Sequence, residues 1–150
     1  MTEIRRGIRA ARAALFVVAG LMLGTGVAAA QADLAKALVG TWQGEVQQLM
    51  KKGADPVLTL IISSVRQEGG KWVADARVGG ADAAKTRPVN IDIDTSGSKP
   101  SLRFKGAAGA EYNLNLFGDK ELVGTATLTT AQAKRSTGSR DRSVKLEKKE

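Results

Sequence analysis

Cysteine and histidine are both missing from the 150 residues. Without cysteine there can be no disulfide framework and no lipid-anchored cysteine, so the fold must be held by a hydrophobic core. Without histidine as well, Ser-His-Asp and Cys-His nucleophilic catalysis is closed, as are zinc, copper and haem sites built on nitrogen or thiolate ligands. Only carboxylate, lysine or tyrosine chemistry remains, and the expectation is a protein that is not an enzyme, with no cofactor and no metal. Aromatic residues are also scarce, with two Trp, one Tyr and three Phe, so the position of each one is informative.

What is present begins with a segment that reads as a targeting signal. Arg5, Arg6, Arg9 and Arg12 make a positive start, an uncharged run follows from Ala13 to Ala30, and small residues close it. Cleavage after Ala30 or Ala32 fits the preference for small residues at such sites. Residues 1–30 are therefore expected to be a signal peptide removed by general secretion, leaving 31–150 as one domain in the periplasm or outside the cell. That length buries a real core without covalent staples.

The formal charge of +8 shrinks when the signal segment is removed, because four arginines and Glu3 go with it and leave 19 basic against 14 acidic residues. Most of the remainder lies in residues 134–150, with seven basic and three acidic residues. The expected picture is a near-neutral domain with a basic connector at 129–142. Lys134, Arg135 and Arg140 are its candidates for contact with an anionic lipid or lipopolysaccharide surface. The connector has no aromatics and no broad basic face, which argues against nucleic acid.

After Gly40 the apolar residues alternate with period two, the pattern of half-buried strands. Trp42, Gly44 and Val46 share one face of the first run, and Leu58, Leu60 and Ile62 one face of the second. Trp72, Ala74, Ala76 and Val78 mark the third, Val89, Ile91 and Ile93 the fourth, and Leu102 and Phe104 the fifth. Tyr112, Leu114 and Leu116 make the sixth, Leu122, Gly124, Ala126 and Leu128 the seventh, and Val144 and Leu146 the eighth. Asp33 to Leu38 could form one or two helical turns ahead of them. Gly69-Gly70 supplies a tight hairpin turn. Eight successive strands with short links predict an all-β fold, an antiparallel up-and-down barrel that leaves no sheet edge exposed, with a two-sheet sandwich as the alternative.

Gly40-Thr41-Trp42, coming after a short helical turn, resembles the opening of the calycin superfamily, which comprises the lipocalins, fatty-acid-binding proteins and avidins. In that group a G-x-W motif starts the first strand and its Trp plugs one end of the barrel. The resemblance implies a basic residue of the last strand packed over Trp42 to close that end, and Arg142 and Lys145 are the candidates. It covers the strand count, the length and this one motif; the lipocalin T-D-Y motif is lacking. By the same resemblance the barrel interior would hold a small apolar or amphipathic molecule. The interior candidates for touching it are Trp42, Leu60, Trp72, Phe104, Tyr112 and Leu114.

Small interior residues beside large ones could either leave a cavity or fill a compact barrel. A packed barrel would instead act as an envelope structural or protein-interaction module, docking through outer apolar residues such as Val57, Ile61, Val73 and Val123. Oligomeric state is not legible. Two further patterns read as structure: Asp92 and Asp94 alternate with apolar residues as a solvated strand face, and Ser96-x-x-Lys99 lies in a turn before Pro100, where the helix that motif needs cannot form.

Overall fold

A computed structural model describes residues 24–47, 56–106, 108–135 and 140–150. Most of the expected signal segment, residues 1–23, lies outside the described residues, as do 136–139 of the basic connector. Helix α1 runs Gly24–Leu38, longer than the two turns predicted, and crosses both candidate cleavage positions. Eight strands follow: β1 Gly40–Val46, β2 Val57–Glu68, β3 Lys71–Gly79, β4 Arg87–Asp94, β5 Ser101–Lys105, β6 Glu111–Phe117, β7 Glu121–Thr127 and β8 Asp141–Lys149. Each pairs antiparallel with its neighbour in sequence, and β8 returns to β1 to close a barrel.

The period-two reading therefore holds strand by strand, and the barrel rather than the sandwich is the architecture. Gly69 and Gly70 both take positive φ, 55° and 79°, the pair of conformations that a two-residue hairpin turn matched to strand twist requires. Where β1 meets β8 and β6 meets β7, adjacent backbones come so close that a Cβ on Gly44 or Gly124 would overlap the carbonyl oxygen of Lys145 or Asn113. No other residue fits those two interior positions.

An eight-stranded barrel has an interior just wide enough for its own side chains, and here they fill its middle. Leu60, Ile91, Leu102, Leu114, Leu122 and Leu146 each expose 0% of their surface. None of them presents surface that a water molecule could touch, either from outside or from an internal void. Leu34, Ala35 and Ala37 of α1 pack against this core and Leu38 is buried within it.

Three features depart from the predicted pattern. A bulge at Ile62/Ser64 lets β2 continue to Glu68. The connector is not wholly irregular, because α2 occupies Thr130–Arg135. Thr129 starts this helix: its Oγ1 accepts from the Gln132 N–H at 3.3 Å, and the Gln132 side-chain oxygen accepts from the Thr129 N–H at 2.9 Å. That reciprocal pair is a capping box. Finally, β4 and β5 pair at only three positions, from Asp92↔Arg103 to Asp94↔Ser101, while β3 and β4 pair at seven. The first half of β4 thus separates from β5.

Candidate functional site

The alternation of strand directions gives the barrel two ends with different contents. One holds the start of β1 and the end of β8, and Trp42 closes it. Its indole is 0% exposed, and its Nε1–H donates to the Leu38 carbonyl at 2.8 Å, tying the last turn of α1 to the barrel. Lys148 lies directly across from Trp42 in the β1–β8 ladder, with its Nζ 5.4 Å from the ring centroid. The same ammonium donates to the carbonyls of Lys36 and Ala37 at 3.1 and 2.9 Å, capping the helix C-terminus where the dipole favours a cation. Gly40, at φ 140°, leaves the passage for it, since a Cβ there would stand 2.8 Å from Lys148 Cε. The G-x-W motif thus serves two side chains: Gly40 admits the lysine and Trp42 receives it.

The cation over Trp42 is therefore Lys148 and neither of the residues predicted. Lys145 has the wrong parity, because Val144 and Leu146 point inward and so Lys145 points out. It is exposed and pairs with Glu121 at 3.0 Å and Glu147 at 3.5 Å, and the hydrogen bond to Glu121 raises its pKa. Arg142 has the right parity but the wrong end. It precedes Lys148 by six residues, about 20 Å along a strand, and lies opposite Ala126 on β7.

The opposite end, where β1 finishes and β8 starts, is built differently. A cavity of about 410 Å³ lies in its mouth, walled by Val46, Val57, Leu58, Val78 and Leu128, with Tyr112, Gln132 and Arg142 as polar members. Arg142 is only 2% exposed, and its Nη1 donates to the Asp141 carbonyl at 3.0 Å. Burial raises the pKa of the Tyr112 phenol. Beside the mouth, at the separation of β4 from β5, a cleft of about 600 Å³ reaches the stacked rings of Phe104 and Tyr112. Those ring centroids are 4.8 Å apart, with planes 7° from parallel.

The six interior candidates are thereby dispersed. Trp42, Leu60 and Leu114 are wholly enclosed by packing. Trp72 is half-buried at the Trp42 end, on a separate surface cleft of about 510 Å³. Phe104 and Tyr112 alone reach the mouth or the lateral cleft. Of the three basic connector residues, Lys134 and Arg140 are exposed beside the mouth and Arg135 ends α2. Reasoning from the sequence missed Arg142 as a member of the mouth, although the inward parity of Val144 and Leu146 was the signal for it.

Asp92 and Asp94 are exposed, as a solvated face requires. Asp94 accepts from the Ser96 hydroxyl at 2.6 Å and from the Ser96 N–H at 2.9 Å, and these bonds hold its carboxyl below the usual range. Ser96 is thus engaged with Asp94, while Lys99 lies 3.3 Å from the centroid of the Phe117 ring.

No family model, no curated protein and no solved structure matches the chain. The barrel and its mouth must speak for themselves.

Proposed function

We propose that this is an exported, non-enzymatic binding barrel, similar to calycins in more than its strand count, which holds a small amphipathic molecule in the mouth at the end opposite Trp42. The apolar mouth cavity of about 410 Å³ carries this reading, because it falls within the size range of small-molecule sites, about 300–1,000 Å³, and joins apolar walls to a few polar groups. The packed middle confines the molecule to the mouth and to the side cleft by Phe104 and Tyr112, in place of the deep interior.

The rim supports an amphipathic ligand met near an anionic surface. Arg87, Lys134 and Arg140 are exposed at this end and enter no ion pair among the described residues. On this reading the mature chain starts at Gln31 or Asp33, which N-terminal sequencing of the exported protein tests.

Native mass spectrometry of the protein purified from its host tests the function. A co-purifying molecule is expected, and Leu58→Trp, which fills the mouth, should remove it. Bare protein, together with no uptake of the neutral dye N-phenyl-1-naphthylamine, would reject the binding function.

The packed middle also favours a second reading, an interaction module whose mouth is incidental. Its proposed outer docking residues do not form one patch: in the ladders Glu45 and Lys145 stand between Val57 and Val123. A discrete homo-oligomer or a stoichiometric protein partner in the same spectra would support it.

A further inference from the structure

We infer that the molecule held in the mouth carries a neutral hydrogen-bond acceptor, a carbonyl above all, and that the Tyr112 hydroxyl donates to it; this rests on the binding function proposed above. Tyr112 belongs to both hollows at this end of the barrel, the mouth cavity and the cleft between β4 and β5. Its ring is engaged with Phe104, but no group among the described residues hydrogen-bonds its hydroxyl. Yet none of the fully buried side-chain oxygens and nitrogens among the described residues lacks a partner. The hydroxyl of the half-buried Tyr112, having none, therefore reaches open space, where a ligand can meet it.

The ring is held in place. Phe104 and Tyr112 face each other across the β5–β6 ladder and stack at 4.8 Å with planes 7° apart. Gly106 makes room beside it, since a Cβ there would stand 2.8 Å from Tyr112 Cε2. A donor fixed in this way loses little freedom on binding. An unpaired hydroxyl in an apolar setting gains most from an acceptor, and the side chains of Val46, Val57, Leu58, Val78 and Leu128 in the mouth offer none. Burial raises the phenol's pKa because it disfavours negative charge at that point. The same burial disfavours a carboxylate or phosphate there and leaves a ketone, ester or amide as the matching group. The cleft, with Asp92, Arg103, Lys105 and Glu111 in its lining, suits an apolar body less than the mouth does. A ligand that fits thus has a compact apolar body in the mouth and a carbonyl turned towards Tyr112.

Two naphthalenes that differ by one carbonyl test this, 2-acetylnaphthalene and 2-ethylnaphthalene, each displacing N-phenyl-1-naphthylamine from the protein. Tyr112→Phe removes the donor and keeps the ring that stacks on Phe104. A neutral hydrogen bond of about 1 kcal/mol or slightly more corresponds to about fivefold to tenfold in affinity. The ratio of ketone to hydrocarbon affinity should fall by that factor in Tyr112→Phe, with the hydrocarbon itself unchanged within about twofold. Lys134→Gln, on the rim, should leave the ratio within about twofold. The infrared carbonyl stretch of the bound ketone should lie at lower frequency in the wild type than in Tyr112→Phe, a shift that a merely structural role for the ring would not produce. Near-ultraviolet circular dichroism of the tryptophans confirms that the variant is folded. If it is not, the band of the ketone on the wild type, compared with the ketone in cyclohexane, carries the test.

An equal ratio in the two proteins, a wild-type carbonyl band at its cyclohexane frequency, or 2-naphthoate competing more tightly than the ketone would overturn the assignment while the mouth remains a binding site. So would bound N-phenyl-1-naphthylamine that neither naphthalene displaces. If that dye is not taken up and neither naphthalene binds, the binding function itself fails and the inference with it.

Discussion

Trp42→Ala is the sharpest test of the closed end. The indole is 0% exposed, donates to the Leu38 carbonyl at 2.8 Å and lies beneath Lys148. Removing a buried Trp ring costs about 3–5 kcal/mol through lost burial and the cavity left behind. The Leu38 carbonyl loses a donor, and the last turn of α1 loses one of the three hydrogen bonds that Trp42 and Lys148 give it. In a barrel of about 110 residues each kcal/mol moves the thermal midpoint by about 4 °C, so the expected drop is roughly 12–20 °C. Trp42→Phe keeps most of the apolar volume and removes the N–H, for about 1–3 kcal/mol. Trp72→Ala, at a half-buried position on the same end, should cost about 1–2 kcal/mol. The assay is thermal unfolding followed by far-ultraviolet circular dichroism. A shift of one or two degrees for Trp42→Ala, or no difference between the two tryptophans, would refute the view that this side chain closes the barrel.

Three other outcomes follow from the same geometry. Tyr112 is the chain's single tyrosine, so near-ultraviolet absorbance titrates it alone. Burial disfavours its charged form and raises its folded-state pKa, so its midpoint should lie above about 10, and the stability it contributes is present below that pH and lost as pH rises through the folded value. Gly124→Ala would press a methyl group against the Asn113 carbonyl and stand 2.9 Å from Leu114 Cα. It should cost at least about 1–3 kcal/mol, whereas Gly97→Ala, with its nearest neighbour at 3.7 Å, should stay within about 0.5 kcal/mol in urea unfolding. Neutralising Lys134, Arg135 and Arg140 together should weaken binding to anionic vesicles without moving the thermal midpoint. Wild-type binding should fade as salt rises and the Debye length falls below about 8 Å, and equal co-sedimentation of the two proteins would return the rim to ordinary solvated surface.

The strands were legible because a half-buried sheet imposes period two on its own sequence, and Gly69-Gly70 was legible because few other residues adopt two successive positive φ values. Which face a residue occupies was there to be read as well: the inward parity of Val144 and Leu146 puts Lys145 outside, against its choice as a candidate for packing over Trp42. Which end of the barrel it reaches could not. Arg142 and Lys148 share a face, and only the full extent of β8, Asp141–Lys149, decides which of them meets Trp42 in the closing ladder. Thr129-Thr130-Ala131-Gln132 carried the signature of a helix start, but six residues of helix have no apolar periodicity to draw attention to them. The separation of β4 from β5 was hidden for another reason: Val89 and Ile91 alternate as any strand does, and pairing is a property of two segments together.

The seam between β1 and β8 joins residues about a hundred positions apart, from Thr41↔Lys149 to Val46↔Val144. A chain made from its amino end can form the ladders from β1 to β7 as it emerges, hairpin after hairpin, but both ladders of β8 wait for Asp141–Lys149. Until then the sheet is open, with the free edges of β1 and β7 at its two sides, and such edges are where strands of other molecules pair. Non-local pairing of this kind is slow because the entropy of closing the loop is lost before any contact rewards it. Lys148 arrives with β8, and with it come the capping of α1 and the cover over Trp42. Time therefore orders this protein as surely as space does: the residue that finishes the plug belongs to the eighth and last strand of the barrel, and the incomplete barrel is the form that neighbouring chains meet first.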